Sequence, residues 1–307
     1  MTKEESIKVT GYIARIIAEK APTVTYTPKD IKEARAAYSD EKLARLKAEG
    51  FYFDDFELFY VMLRFTEALG LWDRADPDYL KVLFSQAKKL DRGNFYQDPY
   101  LKEITVKERR IENFLLTESE YARGEFFQYD MPSLCGELVV PKLGFFPQRV
   151  AFPAVYEGNI PWVSVCPSEI YSMAPDIPDA TGRVLVLGLG LGYYPFRISK
   201  SPKVKTVTIV ERSPQIITLF REEVLPQFSH KEKIRVVQAD AFDFLKEVEQ
   251  GEYDFCYADI WEGWHDGAAC YEKIAPHEKR LYDCTFRYWI HDEILWYQKN
   301  HGTNLEK

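Results

Sequence analysis

The chain is poor in the residues that build metal and disulfide frameworks, with five cysteines and five histidines among 307 residues. The cysteines are scattered and form no CxxC pair, so neither a disulfide framework nor a zinc ribbon is expected. No apolar run approaches the roughly 20 residues needed to span a bilayer, and the first residues, MTKEESIK, lack the apolar centre of a signal peptide. These absences predict a protein without a membrane span and with a cytoplasmic location.

An excess of positive charge is also missing. Lys and Arg number 40 against 48 Asp and Glu, which gives a net charge of −8 and a pI near 5.4. Because non-specific nucleic-acid binding needs a basic face, a nucleic-acid partner is not expected. A hydrophobic content of 46 % is typical of a globular protein and excludes disorder.

Helix start signals recur through the first part of the chain. Thr27-Pro28 and Asp76-Pro77 each offer a capping side chain followed by a proline at the first helical position. Gly50 and Gly70 stand where helices should stop. The pattern predicts a helical amino-terminal domain over residues 1–116.

The pattern changes in the second part of the chain, residues 117–307, which is predicted to form one further domain. Short β-rich runs broken by Pro and Gly, such as GELVVPKLGFF, come first. From residue 181 onward apolar strands alternate with helices, beginning with RVLVLG. This alternation predicts an α/β fold with a doubly wound parallel sheet, that is, a Rossmann-like core.

A glycine-rich loop, GLGLG at residues 188–192, follows the first apolar strand directly. Glycine permits a tight turn and close approach of a ligand to the backbone, and N–H groups at the following helix start can hold a polar group. A dinucleotide fingerprint needs glycine at position 193, where this chain has Tyr193. The spacing therefore favours a ligand of the S-adenosylmethionine type over NAD.

Two acidic residues follow the next two strands. Glu211 ends the second strand, where a carboxylate can accept both ribose hydroxyls of a nucleoside; taken alone, it could equally be a solvated strand-end acid. Asp240 follows the third strand beside Ala241. It is a candidate for the adenine amino group, and also for the cap of the next helix.

The fourth strand ends at Asp259, at the sheet edge where open α/β folds bind ligands. Its carboxylate could act as a base or accept a hydrogen bond from an incoming amine, or it could be an exposed strand-end acid. Trp261 is a candidate wall of the substrate pocket. Glu169, just ahead of the first core strand, is a candidate partner for the ammonium of the ligand's methionine end.

A seven-residue spacing relates four metal-ligating side chains in the tail: Cys270, His277, Cys284 and His291. Two helical turns span about 10 Å, which is too far for neighbouring ligands of one ion. No metal is therefore expected.

The segments VLVLGLGLG, IVERSP, QADAFDFL and YDFCYAD together resemble the class I S-adenosylmethionine-dependent methyltransferases, and most closely their spermidine synthase-like branch. The resemblance implies S-adenosylmethionine as cofactor and Asp259 as the catalytic residue. It implies a cofactor-binding set of Gly188, Leu189, Gly190, Gly192, Glu211, Arg212, Asp240, Ala241 and Asp259.

The chain also departs from the branch. Polyamine synthases carry an aspartate within the glycine loop where this chain has Leu191, and further acids after the fourth strand where it has Ile260. After Asp259 the tail is predicted to be largely helical, so the sheet is either cut short or completed by the upstream β segments.

Methyl transfer to a small-molecule acceptor is thus the expected function, with a homo-oligomer left open. The alternatives are aminopropyl transfer from the decarboxylated donor and a non-catalytic binding or scaffold protein with the same fold.

Overall fold

The computed structural model describes residues 1–301. Contacts divide the chain into two units, one of residues 1–97 and 120–151 and the other of residues 98–119 and 152–307. Within residues 1–301, no helix combines the length and apolar character that a bilayer crossing requires.

The α-helices are α1 (Lys3–Lys20), α2 (Pro28–Ala36), α3 (Asp40–Ala48), α4 (Phe56–Ala68), α5 (Pro77–Gln86), α6 (Arg92–Phe95), α7 (Pro99–Glu103), α8 (Pro167–Met173), α9 (Tyr193–Ser199), α10 (Pro214–Leu219), α11 (Ala241–Glu247), α12 (Trp264–Arg280) and α13 (His291–His301). A π-helical turn over Phe220–Val224 continues α10.

The strands are β1 (Lys88–Lys89), β2 (Arg109–Ile111), β3 (Phe114–Tyr121), β4 (Phe126–Cys135), β5 (Leu138–Phe145), β6 (Val150–Glu157), β7 (Ile160–Ser164), β8 (Gly182–Leu187), β9 (Val204–Glu211), β10 (Ile234–Gln238), β11 (Phe255–Ala258) and β12 (Thr285–Tyr288).

The helical amino-terminal region has the starts that its sequence predicts. Thr27 caps α2, with its hydroxyl accepting from the Asp30 backbone N–H and the Asp30 carboxylate accepting from the Thr27 N–H. Asp76 caps α5 in front of Pro77. The side-chain acceptors satisfy N–H groups that a helix start otherwise leaves unpaired.

The hairpin of β4 and β5 belongs to the amino-terminal unit. The Ser6 hydroxyl of α1 accepts a hydrogen bond from the Val139 N–H, and the Thr10 hydroxyl donates to the Val139 carbonyl. Phe65 of α4 stacks on Phe126 of β4 with 4.0 Å between ring centroids. The predicted boundary at residues 116/117 differs from the observed division and falls within β3, because the hairpin packs on helices that lie far from it in sequence.

The second unit contains a five-stranded parallel sheet in the order β10-β9-β8-β11-β12. Its first four strands are those predicted from the alternating pattern. Val184, Leu185, Val186 and Leu187 are buried, as expected of a central strand covered on both faces. The α/β fold class with a helical region ahead of it is confirmed.

The described tail is largely helical, as predicted, with α12 and α13. The exception is Thr285–Tyr288, which forms β12, parallel to β11. A four-residue strand carries little local pattern, and it is stabilised by ladder hydrogen bonds to a strand far away in sequence. The upstream β segments do not complete the parallel sheet. They form separate sheets of order β1-β5-β4 and β2-β3-β6-β7. Among the described residues the parallel sheet therefore has five strands.

Candidate functional site

The glycine loop joins β8 to α9 at the carboxyl edge of the parallel sheet. Gly188 has φ +97°, and a Cβ placed on it would lie 1.9 Å from the carbonyl oxygen of Asp259. Gly192 has φ +73°, and its Cβ would lie 2.4 Å from the ring of Phe220. Side chains are excluded at both positions by backbone conformation and by space, so the loop's glycines bring its backbone close to the end of β11.

Glu211, the last residue of β9, is only 7 % exposed and holds the loop in place. Its carboxylate accepts from the Ser213 N–H at 2.7 Å with one oxygen and from the Leu189 N–H at 3.3 Å with the other. Each carboxylate oxygen has a second acceptor direction. The predicted contact with two ribose hydroxyls remains compatible with these bonds.

Asp240 acts as the cap of α11, as one of its two predicted roles requires. Its Oδ1 accepts from the N–H groups of Phe242 at 2.9 Å and Asp243 at 3.2 Å. Ala241 is buried at the start of that helix, whereas Arg212, after β9, is exposed. The adenine contact of Asp240 and Ala241 and the cofactor role of Arg212 stay predictions.

A small cavity of about 30 Å³, which opens to solvent, lies where β8 and β11 end. It brings together Glu169 of α8, the loop residues 188–191, and Asp259. The Asp259 N–H donates to the Leu187 carbonyl at 2.8 Å, which fixes this residue at the end of the neighbouring strand. Two of the predicted site carboxyls and the predicted loop therefore share one site.

Both carboxyl groups of the cavity hold their protons unusually well. Burial raises the pKa of Asp259 to about 7. Burial, with the nearby negative charge of Asp259, raises the pKa of Glu169 to about 8. Low dielectric disfavours a carboxylate, and two carboxylates in one cavity disfavour each other. A pKa near neutrality suits a group that must both take up and release a proton.

Tyr257 also lines this cavity and was missed by the sequence analysis. It is fully buried on β11, with its ring stacked on Tyr194 at 3.7 Å between centroids and an interplanar angle of 11°. The available signal was its position two residues before Asp259, because side chains at i and i+2 of a strand share a face.

Trp261 lies elsewhere than predicted. It is buried against Tyr288, with ring centroids 6.4 Å apart, and close to Gly267 of α12, and it is not among the residues that line the cavity. The chain turns into α12 directly after it, where the Asp266 carboxylate accepts from the N–H groups of Glu262 and Gly263. This turn directs the indole beneath the helix.

Residues outside the predicted set position the site. The Tyr100 hydroxyl donates to the Leu191 carbonyl at 2.6 Å, in the middle of the loop. Tyr193 and Arg197 of α9 both bond Asp98, at 3.0 and 2.6 Å. These contacts join residues more than 90 positions apart, and no local pattern predicts them.

The helix that carries Glu169 is held by the carboxyl-terminal strand. The Trp289 indole N–H donates to the Ser172 hydroxyl of α8 at 2.8 Å, and the Trp289 backbone N–H donates to the Ala258 carbonyl at 3.0 Å. Arg287 pairs with Asp179, at 3.1 Å, just after α8. The position of Glu169 in the cavity therefore depends on residues of β12 and on Trp289 directly after it.

No arrangement of three or more His, Cys, Asp and Glu side chains suited to a metal ion occurs among residues 1–301. Cys270 and His277 lie in α12, Cys284 follows that helix, and His291 begins α13.

Residues 172–302 match the family model described as the Spermine/spermidine synthase domain. This segment contains all five parallel strands. No curated protein matches the chain.

Three solved structures illustrate what the chain is similar to. An SAH-bound methyltransferase of Podospora anserina is 18 % identical, with 38 % of this chain and 47 % of that chain covered and a TM-score of 0.31. The spermidine synthase of Thermotoga maritima is 16 % identical, with 41 % and 50 % covered and a TM-score of 0.29. Precorrin 8w decarboxylase of Methanobacterium thermoautotrophicum is 14 % identical, with 39 % and 61 % covered and a TM-score of 0.31.

The chain thus spans about half the length of the first two structures that it matches. All three TM-scores lie below 0.5, so no argument rests on these structures. The Rossmann-like description of the core rests on the family match and on the observed strand order.

Proposed function

We propose that the chain, whose residues 172–302 match the Spermine/spermidine synthase domain, transfers a methyl group from S-adenosylmethionine to a small-molecule amine. One observation carries the proposal. The glycine loop, Glu169 and Asp259 face a single cavity at the carboxyl edge of the parallel sheet. A partly enclosed cavity suits a small acceptor better than a macromolecule.

The cavity fits the amino-acid end of such a donor. The N–H groups of Gly188 and Gly192 donate to the Val210 and Leu189 carbonyls, and that of Leu189 donates to Glu211. The backbone of Gly190 and Leu191, which also lines the cavity, is therefore the part of the loop that would hold a carboxylate. Glu169 provides a negative partner for an ammonium group. The loop backbone would thus hold the carboxylate of the donor, and the Glu169 carboxyl would hold its ammonium group.

The remaining roles follow the strand ends. Glu211 would hold the ribose, and Asp240 with Ala241 the adenine, with Arg212 beside the ribose segment. Asp259 would face the acceptor. These assignments are supported by the position of each residue after its own parallel strand, since ligands bind at that edge in open α/β sheets.

The chemistry required of the protein is modest. When bound, the donor supplies a sulfonium-activated methyl group. The chain then aligns the acceptor for in-line displacement and excludes water. Asp259, with its pKa near 7, takes the proton that an amine must lose to become a nucleophile.

Aminopropyl transfer from the decarboxylated donor is the second candidate, and one observation favours it. Glu169 and Asp259 are both acidic, whereas no Lys, Arg or His is among the described residues that line the cavity. Such a lining suits a donor with an ammonium group and no carboxylate. Against it, Leu191 is a buried apolar residue at the loop position where polyamine synthases carry an acid.

A non-catalytic binding protein of the same fold is the candidate from another class. It would keep the nucleoside site formed by the loop and Glu211 without any acceptor reaction. The chain's five described parallel strands, fewer than a class I sheet normally has, are its support.

Calorimetric titration with S-adenosylmethionine, S-adenosylhomocysteine and the decarboxylated donor tests these proposals. We expect the first two to bind and Glu211→Ala to lose that binding. Glu247→Ala, which removes an exposed carboxylate of α11, is the matched control. Preference for the decarboxylated donor would favour aminopropyl transfer. Absence of binding by all three would refute donor binding altogether, whereas binding without turnover of any amine would favour the non-catalytic protein.

A further inference from the structure

The Tyr257 hydroxyl is an unsatisfied polar group inside the candidate site. Within residues 1–301 this buried oxygen has no hydrogen-bond partner. The stacked neighbour Tyr194 differs, because its hydroxyl donates to the Asp176 carbonyl at 3.2 Å. A buried polar group without a partner lowers the stability of the folded state. Of the described buried side chains that lack a partner, Tyr257 is the one that lines the cavity, so a ligand bound there could supply the missing bond.

The charge around that hydroxyl identifies the class of ligand. Burial and the negative charges of Asp259 and Glu169 raise the pKa of Tyr257 well above its usual range, so the phenol keeps its proton. Its oxygen can accept one hydrogen bond while its O–H donates to a carboxylate. Glu169 and Tyr257 line one cavity, where the two carboxylate oxygens of Glu169 and the phenol oxygen of Tyr257 make three oxygen acceptors.

The described lining of the cavity has no positively charged side chain to neutralise Glu169 and Asp259. The described lining residues include no Lys, Arg or His, and Arg287, which pairs with Asp179, is not among them. A cation with three N–H donors would match three oxygen acceptors in number and in charge. A primary ammonium group has that composition, whereas a carboxylate would meet repulsion.

We propose that Glu169 and Tyr257 form a primary-ammonium site beside Asp259, in which Tyr257 is a specificity-determining residue that recognises the amino group of the donor. The inference rests on the proposed function, because it places that ammonium next to the nucleoside held by the loop and Glu211. The stack with Tyr194 fixes the phenol ring, so its hydroxyl is pre-organised and loses little freedom on binding.

Two ligands separate the ammonium from the nucleoside. S-adenosylhomocysteine has both, together with a carboxylate, whereas 5′-methylthioadenosine has the nucleoside and sulfur with neither charged group. Decarboxylated S-adenosylhomocysteine lacks only the carboxylate, so its affinity should respond to Tyr257→Phe as that of S-adenosylhomocysteine does. We expect Tyr257→Phe to lower the affinity of the protein for S-adenosylhomocysteine, measured by calorimetry, by about tenfold or more. That loss is the range for a hydrogen bond to a charged group. The affinity of the variant for 5′-methylthioadenosine should stay within about twofold of the unmodified protein, since neither the nucleoside nor the sulfur reaches this hydroxyl.

Matched variants keep the test decisive. Tyr288→Phe removes another buried hydroxyl, which donates to Glu278 and is outside the cavity lining, and should change neither affinity. Glu169→Gln should reproduce the selective loss if Tyr257→Phe folds poorly. If Tyr257→Phe lowers the affinity for both ligands equally, or lowers the affinity for neither, the ammonium site is overturned. Failure of both ligands to bind the unmodified protein would overturn the proposed function, and the ammonium site with it.

Discussion

The Tyr100 hydroxyl donates a 2.6 Å hydrogen bond to the carbonyl of Leu191, at the centre of the glycine loop. The phenol is fully buried and comes from the segment just ahead of β2, outside the residues that match the family model. If the loop holds a ligand with its backbone, as proposed, peptide planes fixed before the ligand arrives lower the entropic cost of binding. Tyr100 is thus a positioning residue for the loop.

We expect Tyr100→Phe to lower donor affinity several-fold, because the Leu191 peptide loses its anchor. Tyr79→Phe is the matched control, since Tyr79 is equally buried and its hydroxyl bonds Thr10 at 2.8 Å in the other unit. Each variant should lower the free energy of unfolding by about 1 kcal/mol, the usual value of one hydrogen bond. Urea denaturation and calorimetry check the two quantities. Equal donor affinity in the two variants would contradict the positioning role.

Donor affinity should depend on pH through the two cavity carboxyls. With pKa values raised to about 8 for Glu169 and about 7 for Asp259, the empty cavity holds protons at neutral pH. An ammonium ligand favours the ionised carboxylates, so its binding releases protons and strengthens as pH rises from 6 to 7.5. Calorimetry in two buffers of different ionisation enthalpy measures that release. Glu169→Gln should reduce it, and affinity that falls with pH would contradict the carboxyl pair.

The same carboxyls should make the empty protein less stable as pH rises. A carboxyl whose folded pKa exceeds its unfolded value contributes stability below about pH 4, and this contribution is lost as pH rises through the folded pKa. Between pH 5 and 9, Glu169→Gln should therefore gain stability relative to the unmodified protein, by an amount on the order of 2 kcal/mol. Chemical denaturation across that range measures the difference. A difference that stays constant with pH would show that the Glu169 pKa is not raised.

Substitution of Gly188 should disable the site through its close backbone contact. Gly188→Ala places a Cβ 1.9 Å from the Asp259 carbonyl oxygen, so both the loop and the end of β11 must move. We expect donor binding to be lost, with destabilisation above about 2 kcal/mol. Gly251→Ala is the control, because its φ of +78° is also left-handed but its Cβ meets nothing within 4 Å. It should cost about 1 kcal/mol and leave binding intact.

The elements that sequence analysis placed correctly are those with strong local signals. The apolar strand β8, the glycines after it, and the acids Glu211 and Asp240 at the ends of β9 and β10 follow from the order of residues along the chain. The cap formed by Asp240 was likewise one of its two predicted roles. Each signal lies within a few residues of the feature that it predicts.

The features that were missed depend on contacts between distant segments. Nothing near Tyr100 or Asp98 in sequence indicates that they bond the loop and α9. The strand β12 is stabilised by pairing with β11, and its four residues resemble the helical sequence around them. Trp261 was placed at the pocket from its position after a strand, yet the turn into α12 buries it elsewhere.

The hydrogen bond from the Trp289 indole to Ser172 links helix α8, which carries Glu169, to the segment after β12. The position of Glu169 therefore depends on a residue near the other end of the core. A protease cut just ahead of Trp289 would leave the glycine loop, Glu211, Asp240 and Asp259 unaltered in the remaining polypeptide. The short helix α8 would nevertheless lose its tether, and Glu169 could turn outward into water. If the proposed function holds, such a clipped protein would keep the residues proposed to hold the nucleoside and lose its selectivity for the amino group. Such a fragment would still contain every sequence motif of the site, but an activity screen with it would test a protein whose Glu169 is misplaced.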